Sequence, residues 1–136
     1  YNDRRLHRNV IYVYYNRKSM SNIKLVYCNE GDGIGIVSGN KFVSVNLHGR
    51  ILKRKSNEDD RAIQSDIRRV PVNTAYELKS GGTYIVNGNI AKFIDRNLFY
   101  MCFIVFYSNG EMHIEDFESD QALSLCYSQE IMSITV

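Results

Sequence analysis

Short apolar runs, rich in β-branched and aromatic residues and broken by small polar clusters, follow one another along almost the whole chain. Runs of this length and composition predict strands. Val10 to Tyr15 is the first, ending in the polar Asn16-Arg17-Lys18-Ser19, and Ile23 to Cys28 is the second. Gly33 to Ser38 leads through Gly39-Asn40 into Lys41 to Leu47, where Phe42, Ser44 and Asn46 alternate with Val43, Val45 and Leu47. A two-residue, Gly-containing link between such runs predicts a hairpin, because primed turns need positive φ. Gly49 then turns the chain into Ile51-Leu52-Lys53. Thr83 to Val86 is a short strand with Asn87-Gly88 as its turn, and Ile90 to Leu98 fits either a helix or an extended run.

The C-terminal third is patterned most clearly. Met101 to Tyr107 is continuously apolar, which predicts a strand covered on both faces. Asn109-Gly110 signals a hairpin into Glu111 to Asp116, with Met112 and Ile114 on one face and Glu111, His113 and Glu115 on the other. Leu123, Leu125 and Tyr127 alternate with Ser124 and Cys126, predicting another strand, and Ile131 to Val136 predicts the last. Ser56 to Arg69 differs in kind. Ser56 or Asn57 can cap, Glu58, Asp59 and Asp60 suit a helix N-terminus, Ile63 and Ile67 lie four apart, and Pro71 stops continuation. One short amphipathic helix is expected there.

Overlaying the two hairpins at an offset of 69 residues places Ile34 and Ile36 on Phe103 and Val105, and Val43 and Val45 on Met112 and Ile114. A slip of two then puts Ile51 and Leu52 on Ala122 and Leu123. The pattern predicts a duplication: one compact domain over residues 1–136, with a first half at 10–70 and a second at 83–136. The expected fold class is α+β, mostly antiparallel β, with two similar small sheets packed as a sandwich and one short helix.

Composition narrows this little, with 44% hydrophobic and 24% charged residues, ten Tyr, six Phe and one Pro among 136. No apolar run is long enough to span a bilayer as a helix, so no membrane partner is expected. Three cysteines without C-x-x-C spacing fit a reducing, intracellular setting, and a start lacking Met fits a piece of a longer protein. Charge is uneven. Residues 1–70 carry fourteen Lys/Arg against seven Asp/Glu, a net of +7, whereas residues 71–136 carry three against eight, a net of −5. The asymmetry fits two halves that attract each other, or a nucleic-acid-binding half.

The stretch Phe103-Ile104-Val105-Phe106-Tyr107-Ser108-Asn109-Gly110 through Ala122-Leu123-Ser124-Leu125-Cys126 resembles the second polo box of polo-like kinases, where a Ser-Asn-Gly turn joins two apolar strands ahead of a Leu-x-Leu-Cys element. Lys24-Leu25-Val26, Gly33-Ile34-Gly35 and Val43-Ser44-Val45 resemble the first polo box at the same mutual spacing. The resemblance implies a non-catalytic targeting module, not an enzyme. In that family each box is a six-stranded antiparallel sheet with a helix, and the paired boxes take a partner peptide, often phosphorylated, in the cleft between them. The full-length chain would then carry a kinase domain and act in the cell cycle at centrosomes or the spindle. By this resemblance Lys24, Leu25 and Val26 form one wall of the cleft and Asp120, Ala122 and Leu123 the other. Two departures bear on mechanism: the family's Trp is Leu25, and its phosphate-gripping His and Lys fall on Asp120 and Ala122. A carboxylate repels phosphate and an alanine donates nothing, so the expected partner is a protein or peptide held without phosphate dependence. A homodimer that exchanges strands is compatible with the pattern.

Other chemistry has weaker support. Glu111, His113 and Glu115 at two-residue spacing read as the solvated face of a hairpin rather than a metal site, and no metal or cofactor is expected. Gly31-Asp32-Gly33-Ile34-Gly35 has no helix after it to aim N–H groups at an anion, so it reads as a closely packed strand entry. The alternative function is nucleic-acid binding by the basic strand Arg50, Lys53, Arg54 and Lys55, with Tyr12, Tyr14 and Tyr15 as stacking surfaces. Its bland counterpart is an edge strand guarded by cations against stray pairing.

Overall fold

A computed structural model of the chain describes residues 23–136, so the expected strand at Val10 to Tyr15 and its tyrosines lie outside the described residues. From Ile23 onward the chain forms ten strands. β1 (Ile23–Tyr27), β2 (Ile34–Ser38), β3 (Lys41–Val45) and β4 (Ile51–Lys55) make a four-stranded meander. β5 (Arg68–Pro71), β6 (Thr83–Val86), β7 (Asn89–Arg96), β8 (Tyr100–Phe106), β9 (Met112–Glu118) and β10 (Ile131–Thr135) make a six-stranded sheet ordered β5-β10-β6-β7-β8-β9. Every pairing is antiparallel. One helix, α1 (Ser119–Tyr127), connects β9 to β10. Among the described residues the fold is therefore mostly antiparallel β, two sheets with a single helix.

The turn chemistry explains the hairpins. Asn87 and Gly88 both take positive φ in the two-residue β6–β7 turn, as its primed geometry requires. The Tyr107 N–H donates to the Glu111 carbonyl, which leaves a three-residue loop between β8 and β9. Of the run Ile90 to Leu98, the part up to Arg96 is extended: β7 pairs with β6 and β8 and is shifted by one residue between Phe93 and Asp95, and Asn97 and Leu98 lie in the turn that follows.

Apolar side chains fill two layers. Between the sheets lie Leu25, Ile34, Ile36, Val43 and Val45 from the meander against Ile85, Ile90, Ile104, Phe106 and Ile134 from the larger sheet. On the other face of the larger sheet, Phe93, Phe103, Val105 and Phe117 pack with Ala122 and Cys126 of α1 and with Ala75 and Leu78 around a short 3-10 turn. β8 supplies residues to both layers, as its unbroken apolar run predicts.

Two expectations are corrected. Ser56 to Arg69 is not helical. Asp60 accepts from the Asn57 N–H and forms a two-pronged ion pair with Arg54, closing a turn, while Ala62 bridges Val26 and the Ile63 N–H donates to the Leu25 carbonyl. Ile63 and Ile67 still reach the core, but from a segment that covers the β1 edge and then enters β5. A free strand edge gives this backbone its partners, and the Asn and Asp residues that would cap a helix make turns instead. Conversely, Leu123 to Tyr127 is helix, not strand. Ala122 and Cys126, four apart, are buried against the sheet with Leu125 beside them, whereas Leu123 and Tyr127 face out. The expected overlay of the two halves does not carry through: Ile34 and Ile36 face the layer between the sheets while Phe103 and Val105 face the opposite layer, Ile36 pairs with Val43 but Val105 with His113, and α1 stands where the overlay puts a counterpart of β4.

The halves are pinned together at one buried point. Lys92 on β7 is fully buried, and its ammonium donates to Asp32 Oδ1 (3.0 Å), the carbonyls of Ile34 (2.7 Å) and Gly81 (2.8 Å), and Thr83 Oγ1 (3.0 Å). Asp32 also accepts from the backbone N–H groups of Ile34 and Thr83. Gly31 and Gly81 pass so closely that a Cβ on Gly31 would stand 2.3 Å from the Val45 carbonyl oxygen and 2.8 Å from that of Gly81. The Gly31-to-Gly35 stretch is, as expected, a closely packed strand entry. Burial lowers the Lys92 pKa below the ordinary lysine value, and the Asp32 carboxylate opposes that shift.

Ile104 sits on the central face of β8 at 1% exposure. Ile104→Asp buries an unpaired charge there and should unfold the domain; a cooperative melt at the wild-type temperature would place β8 wrongly. Asp32→Asn leaves the Lys92 ammonium buried without its anion, and urea titration should show a loss of about 3 kcal/mol at neutral pH. A lysine whose folded pKa lies below its unfolded value binds fewer protons when folded, so rising pH stabilises the native state through that window. The variant's deficit should therefore narrow as pH climbs from about 7 towards about 10, and a constant deficit would mean that Lys92 keeps its proton throughout.

Candidate docking surface

The two expected cleft walls do not meet. Leu25 lies in the layer between the sheets and Val26 is buried on the opposite face of β1, with Lys24 half-buried just before them in the strand. Ala122 is buried under α1, in the layer on the far side of the six-stranded sheet. Among the described residues the layer between the sheets is filled by apolar side chains of both halves. Asp120 and Leu123, however, are at the surface, and Asp120 lines a groove that the sequence did not reveal.

That groove is built by two connections. At the β7–β8 turn, Asn97 Oδ1 accepts from the N–H groups of Phe99 and Tyr100, and the Asn97 N–H donates to the Tyr100 carbonyl. A side-chain-capped turn of this kind needs no packing of its own tip, and Leu98 and Phe99 are left 83% and 66% exposed. At the β9–α1 junction, the Ser119 N–H donates to the Phe99 carbonyl and the Ser119 hydroxyl to the Leu98 carbonyl, holding the helix start against that turn. Between them runs a groove of about 440 Å³ lined by Leu98, Phe99, Tyr100, Glu118, Ser119 and Asp120. One wall is apolar and the other carries two carboxylates. The signal available in the sequence was Asn97-Leu98-Phe99-Tyr100, an Asx-turn residue followed by three large apolar side chains with no facing partner.

The acidic character continues along the sheet. Asp95 and Asp116 both pair across from Cys102. Burial, then the Asp116 hydrogen bond and the nearby negative charge, push the Cys102 thiol up to about 12. That thiol is a poor nucleophile at neutral pH. Further along β9, Glu111 pairs with His113 (3.0 Å), and Tyr107 donates to Glu115, which with burial pushes the tyrosine up to about 12. The three members of the expected solvated face are thus divided between separate partners.

The basic strand of the alternative reading is β4, an edge of the meander. Arg54 is engaged: it holds Asp60 at 2.7 Å and its guanidinium lies 3.9 Å from the centre of the Phe42 ring. Asp60 is held below the ordinary carboxylate range chiefly by that hydrogen bond. Arg50 precedes the strand. Lys53 and Lys55 are exposed and share a face with Lys41, which stands directly opposite Lys55. With Asn40 and Arg54 these lysines line a shallow hollow of about 210 Å³.

No family model matches the chain, and comparison with curated proteins and with solved structures finds no similar one. No helix among the described residues is long and apolar enough to cross a membrane.

Proposed function

We propose that the domain is a non-catalytic docking module, related in kind to the polo-box pair, that binds a partner peptide through the groove between the β7–β8 turn and the start of α1. The observation that carries this is the exposure of Leu98 and Phe99 together, on one wall, opposite Glu118 and Asp120. Adjacent large apolar side chains left in water by a rigid turn are costly unless something covers them, and surfaces of this kind mark interaction sites. A six-stranded antiparallel sheet with one helix, made from the second half with β5 added at its edge, supports the polo-box resemblance, while the meander, at four strands and no helix among its described residues, departs from it. The site also differs from the family's, lying on the outside of the second half. In the full-length protein such a module positions whatever is joined to it, a kinase domain if the resemblance extends that far, at the partner's location in the cell.

A second reading, polyanion or nucleic-acid binding at β4, rests on Lys41 facing Lys55. Like charges directly opposite each other destabilise a strand pair, and no carboxylate among the described residues neutralises them.

The tests separate the two. For a partner peptide isolated with the domain, calorimetry should show about a tenfold loss, near 1.4 kcal/mol, on Phe99→Ala. Phosphorylating the peptide should leave its affinity unchanged or lower it, and Asp120→Ala should reduce any such penalty. Affinity unaffected by Phe99→Ala, or a tenfold gain from the phosphate, would place the site elsewhere. For the second reading, affinity for a single-stranded oligonucleotide should fall steeply with salt and be lost in Lys53→Glu; a flat salt dependence removes it.

A further inference from the structure

The four sheet edges are protected very differently. β1 is covered: the Tyr27 N–H donates to the Arg61 carbonyl and the Ile63 N–H to the Leu25 carbonyl. β4 bears Lys53, Arg54 and Lys55, and β5 has four residues and ends in Pro71. These are the usual devices against edge pairing. β9 has none of them. It is seven residues long, carries no Lys, Arg or Pro, and pairs on one side alone among the described residues.

Its free backbone groups can be assigned. Hydrogen bonds from the Tyr107 N–H to the Glu111 carbonyl and from the Ser119 N–H to the Phe99 carbonyl fix both ends of the β8–β9 ladder. The pairing between runs without a shift from Tyr100–Glu118 to Phe106–Met112. Antiparallel alternation then turns His113, Glu115 and Phe117 towards β8 and leaves the N–H and C=O of Met112, Ile114, Asp116 and Glu118 pointing away from the sheet. Those four residues also share the face that Ile104 and Phe106 present to the meander. Met112 packs against that layer, but Ile114 lies past its rim at 58% exposure, followed by Asp116 and Glu118.

We propose, resting on the docking reading above, that the partner binds by adding an antiparallel strand to β9, with a basic residue opposite Glu118, a second opposite Asp116 and an apolar residue opposite Ile114. Strand addition satisfies the open backbone groups and lets side-chain chemistry select the ligand. In an antiparallel strand the three contacts fall in the order basic-x-basic-x-apolar, because alternate residues share a face. The occupant is a cationic peptide. A second copy of β9 would bring together two strands that each carry Glu115, Asp116 and Glu118 with no Lys or Arg to offset them, and like charges brought close oppose that pairing.

The probe is the synthetic heptapeptide TKTKTVT, followed by amide NMR on the full chain. Binding should shift the amides of Ile114, Asp116 and Glu118 and slow their hydrogen exchange. N-methylation of alternate backbone amides, which leaves every side-chain charge in place, should weaken binding at least tenfold, and so should TETETVT. If TKTKTVT does not bind, or its N-methylated form binds equally well, strand addition is overturned. In either case the calorimetry with Phe99→Ala still decides whether the groove is a docking site. If Phe99→Ala has no effect while TKTKTVT protects the β9 amides, strand addition stands and the groove is the part that fails.

Discussion

A buried ammonium is the constraint on which the arrangement of the two sheets depends. Lys92 comes from the centre of the larger sheet, and its acceptors come from three places: Asp32 and Ile34 at the entry to β2, Gly81 in the loop before β6, and Thr83 in β6. An ammonium has three protons to donate, and removing it from water costs several kcal/mol unless they are used. The larger sheet supplies the Gly81 carbonyl and Thr83 itself, and the meander must bring the Asp32 carboxylate and the Ile34 carbonyl onto the same ammonium. Apolar layers tolerate small slides because their contacts are non-directional, so the polar point sets the register that the surrounding isoleucines and valines then fill. Glycine at 31 and 81 is part of the same constraint, since the backbone must pass close enough to place a carbonyl on Nζ.

This also explains which parts of the fold could be read from the sequence. Strand positions follow from local pattern: β2, β3, β6 and β8 stand where alternation and turn residues put them. Each is decided by residues within a few positions of itself. The failures involve residues whose partners are distant. Ser56 to Arg69 carries capping and spacing signals that suit a helix, yet the exposed edge of β1 claims its backbone. Leu123, Leu125 and Tyr127 alternate as a strand would, yet Ala122, Leu125 and Cys126 also sit on one helical face, and a sheet lay ready to bury them. Lys92 is the instructive omission. It stands alone within Ile90-Ala91-Lys92-Phe93-Ile94, where a single charged residue inside an apolar run implies a buried partner, and the Asp in a glycine-rich turn sixty residues earlier was the one to pair with it.

The candidate site was legible only in fragments. Asp120 was singled out by resemblance and does line the groove, but of the other expected wall Leu25 is buried between the sheets and Val26 on the opposite face of the meander, with Lys24 half-buried. A cleft between two halves exists only where their facing surfaces fail to complete each other, and here Ile23, Ile34, Ile36 and Val43 pack with Ile90, Ile104 and Phe106 in one buried cluster. The surface left over is at the end of the larger sheet that the meander does not reach. Being narrower by two strands, the meander cannot cover β9, so the inner face of the larger sheet continues past its rim from Met112 to Ile114 and the acids beyond.

The charge asymmetry takes on a different meaning in this light. Two halves of net +7 and −5 suggest attraction across their interface, but the buried ion pair that crosses it takes its cation from the acidic half and its anion from the basic one. The Arg54–Asp60 pair stays within the first half and the His113–Glu111 pair within the second. Among the described residues, like charges gather at the surface, as Lys41, Lys53 and Lys55 on one edge and as Asp116, Glu118 and Asp120 near another. Surface charges of one sign contribute little to holding a fold together and much to selecting what approaches it. The folded domain accordingly presents two faces of opposite sign on opposite sheets, and of the two the acidic one also offers open backbone and exposed apolar side chains.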